Sequence, residues 1–191
     1  MISANILKEI QDRCIYEMIQ ARDHLQYPFL YGKYALINTN PEPENDIHIV
    51  FDCVKKLNQF PLVAIGKWDA NPYAKALYKK YADCNLIQMI NSNIEWRTYN
   101  MFRSNCFIYI DANHKKNDSI KLLEAMYMQL PIITYADYNN LKLTNQQGWY
   151  YTNGIDLKII LKSLHQTNTA QNGLLMKQLF SCQQEKLDLI H

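Results

Sequence analysis

The chain has 191 residues, 48% of them hydrophobic, and a formal charge of +2. That length predicts one domain with a terminal appendage and excludes an enzyme needing two full-sized domains in this chain. The near-balanced charge leaves no electrostatic footprint for nucleic acid. Gly occurs only 5 times, where average usage gives about 13, and neither a Walker A nor a G-x-G-x-x-G loop is present.

Five lone cysteines, Cys14, Cys53, Cys84, Cys106 and Cys182, form no C-x-x-C pair. Cys53 and Cys106 sit in apolar runs, where Cys behaves as a small hydrophobe. The pattern predicts a reduced, cytoplasmic protein with no metal site and no cofactor. No apolar run reaches the roughly 18 residues of a membrane span, and charges come too early for a signal peptide.

In chain order, residues 1–26 predict a helix that Pro28 ends. A strand is predicted over 34–39 and a helix over 46–59, with Ile47, Val50, Phe51, Val54 and Leu57 on one face. A strand over 62–65 is followed by a helix over 73–82, opened by Asn71 and Pro72. Then come a strand over 86–89 and a helix over 95–104. Residues 106–110, CFIYI, are apolar on both faces, as in a central parallel strand. A helix over 119–128, strands over 132–135 and 149–152, and helices over 155–164 and 173–190 complete the chain, with 165–172 as a surface loop. Strands alternating with helices predict an α/β fold: one doubly wound parallel sheet of about six strands with helices on both faces. The division is 1–33, a helix and connector, and 34–191, the sheet domain.

In such sheets ligands bind beyond the carboxyl ends of the strands. The most informative loop there is DANHKKNDS, 111–119, running from the central strand into a helix. A helix start offers free N–H groups to a phosphate, and Lys115 and Lys116 add charge. Glu124 lies about a turn and a half into that helix; from spacing alone it is either an acceptor for a ribose diol or a solvated helix residue. His114 either touches phosphate or is a solvated loop residue. His48 is expected at the surface. Glu42 and Glu44 read as exposed residues of a Pro-fixed turn before the helix at Asp46.

The stretch SIKLLEAMYMQLPIITYAD resembles the nucleotide-sugar-binding signature of retaining glycosyltransferases with two Rossmann-like domains, the GT-B enzymes of the group 1 (family 4) type. PEPENDIHIVFDCVKKL, FPLVAIGKWDANPYAKAL and IEWRTYNMFRSNCFIYID resemble three further segments of that family's C-terminal domain, in the same order, so the resemblance covers about 34–160. It implies a Rossmann-like donor-binding domain. Glu124 then matches the carboxylate that takes the donor ribose. Ser119 and Ile120, after Asp118, match the helix start beside the donor phosphates, and Ile90 and Asn91 match the turn flanking the base.

Other positions depart from the family. Asn40 stands where an Arg usually neutralises the departing diphosphate, with Thr39 in place of a Gly. Lys116 stands where a second carboxylate is frequent, and KKND replaces a Gly-rich stretch. Gln129 occupies a common Gly position at the helix exit. The resemblance implies hexosyl transfer from a nucleoside-diphosphate sugar in polysaccharide biosynthesis. The acceptor-binding N-terminal domain is missing, so activity is expected only with a separate partner chain or a homodimer supplying a second wall. The catalytic residues are unassigned. The alternative is a non-catalytic, degenerate binding or interaction module of the same fold.

Overall fold

A computed structural model describes residues 3–114 and 119–188. Its centre is one parallel sheet of six strands in the order β3-β2-β1-β4-β5-β6. The strands are β1 (Ala35–Asn38), β2 (Leu62–Gly66), β3 (Ile87–Asn91), β4 (Ile108–Asp111), β5 (Ile132–Tyr135) and β6 (Trp149–Tyr151). The helices are α1 (Ala4–Arg13), α2 (Ala21–Gln26), α3 (Ile47–Leu57), α4 (Pro72–Tyr81), α5 (Trp96–Asn105), α6 (Ser119–Tyr127), α7 (Tyr138–Leu143), α8 (Gly154–Ser163) and α9 (Thr169–Asp188).

Side chains alternate along each strand, so one sheet faces two cores. Leu36, Val63, Ile65, Tyr109 and Ile132 join Leu7, Ile10, Leu122, Met126, Met176 and Phe180 beneath α1, α5, α6 and α9. Ala35, Ile37, Ala64, Ile108, Ile110 and Ile133 join Val50, Phe51, Leu77, Tyr81, Leu157 and Leu161 beneath α3, α4 and α8. Layers on both faces confirm the predicted doubly wound α/β fold. All five cysteines are free thiols, with Cys53 and Cys106 in the cores.

Three elements differ from the sequence reading. The N-terminal helix splits at Cys14, and residues between α1 and α2 run as irregular chain. Tertiary bonds override local propensity there. The Trp96 indole and the Asn100 amide donate to the Arg13 carbonyl at 2.5 and 3.1 Å. The Glu17 N–H donates to Ser104 Oγ at 3.0 Å, and Asn105 donates to the Glu17 carbonyl at 2.9 Å. Second, α7 falls in a stretch with no predicted element. Six residues are too few to show a period, and its local signal is the cap: Asp137 Oδ1 accepts from the N–H groups of Asn139 and Asn140 at 2.6 and 3.0 Å. Third, α9 starts at Thr169, not at residue 173, because Asn168 Oδ1 accepts from the Gln171 N–H at 3.0 Å as its cap. Gly173 therefore lies inside the helix.

Chain order reverses between β1 and β4, which makes that gap the switch point. The two strands pair only at Ala35 with Ile108 and Leu36 with Tyr109, whereas β1 pairs with β2 at four positions. The carboxyl ends of β1 and β4 therefore separate, and the segments after Asn38 and Asp111 border the crevice.

Candidate functional site

Local geometry places the crevice residues. Thr39 Oγ1 donates to Asn113 Oδ1 at 3.4 Å, linking the segments that follow β1 and β4. Asn45 makes a second link: its amide donates to the Asn40 carbonyl at 2.9 Å, and its Oδ1 accepts from the His114 N–H at 3.2 Å. The Asn40 side chain meets Lys121 in the first turn of α6, with Nζ 3.5 Å from Oδ1. A cation thus reaches the position where the sequence lacks an arginine.

Asp111, at the end of the central strand, is 2% exposed. Its Oδ1 accepts from the Asn113 amide at 2.8 Å and its Oδ2 from Thr134 Oγ1 at 3.2 Å. Burial pushes its carboxyl up to about 7, against the lowering effect of the Asn113 and Thr134 bonds and of Lys121. His114 stacks on Tyr135 with ring centroids 3.6 Å apart. It is packed rather than solvated, and burial lowers its pKa.

The centre of the site is Glu124 on α6, which is only 4% exposed. Both carboxylate oxygens are engaged. Arg103 Nη1, from α5, donates to Oε2 at 2.7 Å, and Arg13 Nη2, from the end of α1, donates to Oε1 at 2.5 Å. The Tyr99 hydroxyl approaches Oε2 at 3.5 Å and itself accepts from the Asn38 amide at 2.5 Å, which ties the group to the end of β1. Burial works against the Arg103 charge, but Tyr99, Cys14 and Glu124 around it more than offset this and hold its pKa above the ordinary value. The same burial pushes the Cys14 thiol up to about 11. Glu124 is therefore a buried, ion-paired carboxylate rather than a solvated helix residue. Neither arginine was legible as its partner, because one is 111 residues away in sequence and no local pattern links them.

The remaining predicted positions are dispersed around this centre. Ser119 begins α6, and Ile120 is 38% exposed in its first turn. Ile90 and Asn91 end β3; the Ile90 carbonyl accepts from the Trp68 indole at 3.0 Å, and Asn91 is exposed. Lys116 and Asp118 lie outside the described residues, as does Lys115. Glu42, half-buried, precedes a short turn, Pro43–Asn45, and Glu44 lies exposed within it. His48 is half-buried, with Nδ1 3.0 Å from the Tyr73 hydroxyl. Among the described residues no helix is long and apolar enough to cross a membrane.

No family model matches the sequence, and no curated protein matches it. Solved structures do share the fold. HepE of Anabaena, crystallised with UDP and glucose, superimposes with a TM-score of 0.72 at 13% identity, over 94% of this chain and 50% of its own. The C-terminal domain of LpcC, a group 1 glycosyltransferase protein of Francisella tularensis, gives 0.62 at 14% identity, over 95% of this chain and 97% of its own. Sucrose-phosphate synthase of Thermosynechococcus elongatus gives 0.64 at 14% identity, over 98% of this chain and 46% of its own. This chain thus spans about half the length of HepE. Its fold is that of the C-terminal domain of the GT-B glycosyltransferases.

Proposed function

We propose that the chain is the donor-binding half of a glycosyltransferase and holds a nucleoside-diphosphate sugar in the crevice between β1 and β4. The observation that carries this reading is the position of Glu124. It lies on the helix that follows the central strand, linked through Tyr99 and Asn38 to the end of β1. A carboxylate there accepts both hydroxyls of a ribose diol, while the start of α6, from Ser119 to Lys121, faces the diphosphate. Ile90 and Asn91 border the base. Structures of HepE and of the pneumococcal O-GlcNAc transferase GtfA hold UDP, which makes UDP the first donor fragment to test.

The chemistry assigned to these groups is positioning and charge stabilisation. Departure of a nucleoside diphosphate from the sugar develops negative charge on the β-phosphate, and a fixed cation there lowers the barrier. Asn40 carries no charge, and Lys121 beside it supplies one. A lysine is a point charge without the fork of an arginine, so it neutralises without clamping two oxygens. An acceptor and a water-excluding second wall come from another domain or from a second copy of this chain. Exposed Ile15, Tyr16 and Met18, just beyond Arg13, and the exposed Trp96 that contacts it, support such a contact. The sugar is transferred to a glycan or polysaccharide precursor.

Calorimetry tests this reading. UDP binding is expected, and Lys121→Ala is expected to weaken it about tenfold while leaving the weaker affinity for uridine unchanged. Equal effects on UDP and uridine would remove Lys121 from the diphosphate position. No heat with UDP, GDP or ADP would remove the donor-binding reading. A second reading, a non-catalytic degenerate module, is favoured by Asn40 at the arginine position. It predicts donor binding without sugar transfer even when a second half is supplied.

A further inference from the structure

Glu124 has two arginine partners of different kinds. Arg103 is 1% exposed in its side chain and is held in place on its other side by Asn100 Oδ1 at 2.5 Å. It stacks 4.3 Å from the Tyr99 ring centroid. One buried guanidinium is enough to neutralise one buried carboxylate, so the charge of Glu124 is already balanced by α5. Arg13 is the surplus cation. Its side chain is 33% exposed, and its Nη1 is also bonded to Glu9 Oε1 at 2.8 Å, one turn back on α1. The backbone around it is fixed: Leu7 and Ile10 are buried, and the Arg13 carbonyl is held by Trp96 and Asn100. Only the side chain of Arg13 has a second acceptor and an outlet to solvent.

We infer that Arg13 is a gating residue of the ribose subsite. It covers Glu124 Oε1 in the free protein and swings onto Glu9 when a ribose diol takes its place. The idea rests on the donor-binding reading and adds to it a determinant of sugar recognition on the N-terminal helix, outside the segments that resemble the family. The geometry supplies each part. With Arg13 in place, both Glu124 oxygens are used and the residue is nearly sealed. With Arg13 rotated away, Oε1 becomes an open acceptor, while Arg103, 2.7 Å from Oε2, keeps the carboxylate paired and oriented. The swing leaves no charge unpaired, because Glu9 already holds one Arg13 nitrogen. The pair is exposed on its Arg13 side only, and because Glu124 keeps Arg103 when it breaks, no buried charge is left alone and a ligand's hydroxyls can take its place.

The test compares UDP with 2′-deoxy-UDP on the full chain, using Arg13→Met to keep the apolar stem. Binding by calorimetry is expected to tighten about fivefold for UDP in the variant, the worth of a partly exposed ion pair, and to stay unchanged for 2′-deoxy-UDP. Glu124→Gln is expected to abolish the difference between the two ligands. Equal tightening of both ligands overturns the gate, since it would report general access or charge. So does unchanged or weaker UDP binding in Arg13→Met while Glu124→Gln still loses ribose discrimination; that pattern keeps the donor site and removes the gate. Absence of UDP binding in every protein removes both. If Arg13→Met lowers the melting temperature, Glu9→Ala gives the independent check: it withdraws the second acceptor and is expected to weaken UDP binding.

Discussion

At the scale of single residues, the carboxylates of the site divide by their surroundings. Glu124 is buried but paired with arginines, whereas Asp111 is buried among neutral donors, which accounts for its value of about 7. An unfolded Asp titrates near 4. Between about pH 4 and 7 the folded chain therefore holds a proton that the unfolded chain has released. The contribution of Asp111 to stability is complete below about pH 4 and is lost as the pH rises through about 7. Asp111→Asn removes the titration; its amide oxygen can still accept from Asn113, and its NH2 can donate to Thr134 Oγ1 in place of the bond that Asp111 accepts. From about pH 5 to about pH 8, thermal unfolding is expected to show the native chain losing stability relative to this variant, by roughly 3 kcal/mol, the worth of the two pH units between 5 and 7. A difference that does not change with pH would contradict the burial of an unpaired carboxyl. The sequence marked Glu124, because LLEAM is a local pattern, and left Arg13, Arg103 and Tyr99 unmarked. Their roles arise from contacts across the fold that no spacing encodes.

At the scale of elements, the signature helix is held by its exit and by the helix laid across it. Gln129 takes a left-handed conformation, with φ of 60°. The Leu130 N–H reaches the Ala125 carbonyl and the Gln129 N–H the Met126 carbonyl, both at 3.0 Å, closing a Schellman turn. The family-like reading expected Gly there, and the turn forms without it at a cost of about 1–2 kcal/mol. The glycine that matters lies elsewhere. A Cβ on Gly173 would stand 2.2 Å from the Gln129 carbonyl oxygen, a backbone atom that cannot rotate aside. Gly173→Ala is thus expected to push α9 off the exit of α6 and to destabilise the chain by about 1–3 kcal/mol, as overpacking does. Urea unfolding checks this, and a variant as stable as the native chain would show that the helices separate freely. The sequence reading placed Gly173 at a helix start, since an isolated Gly signals a boundary when its packing partner is unknown. Helix interiors with a clear apolar period, such as α3, were legible to within one or two residues.

At the scale of the whole molecule, the order of strands and helices was readable because each βα unit announces itself by period and caps. The strand order follows from right-handed crossovers, which place the switch point between β1 and β4. The N-terminal 33 residues were less legible. They were expected as a helix and a connector, and they pack α1 against α6 and α9 and run on along α5 through Glu17 and Asp23. That appendage brings Arg13 to Glu124. It makes the N-terminus part of the candidate site, while leaving Ile15, Tyr16 and Met18 exposed beside it.

The central claim is that a ribonucleoside diphosphate binds at the carboxyl ends of β1 and β4. Backbone amide NMR during titration with UDP tests it most directly. The account predicts saturable shifts concentrated at Thr39 and Asn40, Ile90 and Asn91, Asn113 and His114, and Ser119 through Glu124, with Arg13 following. No shifts at millimolar UDP, or shifts gathered at the opposite edge around Pro61, Leu86 and Pro131, would contradict it.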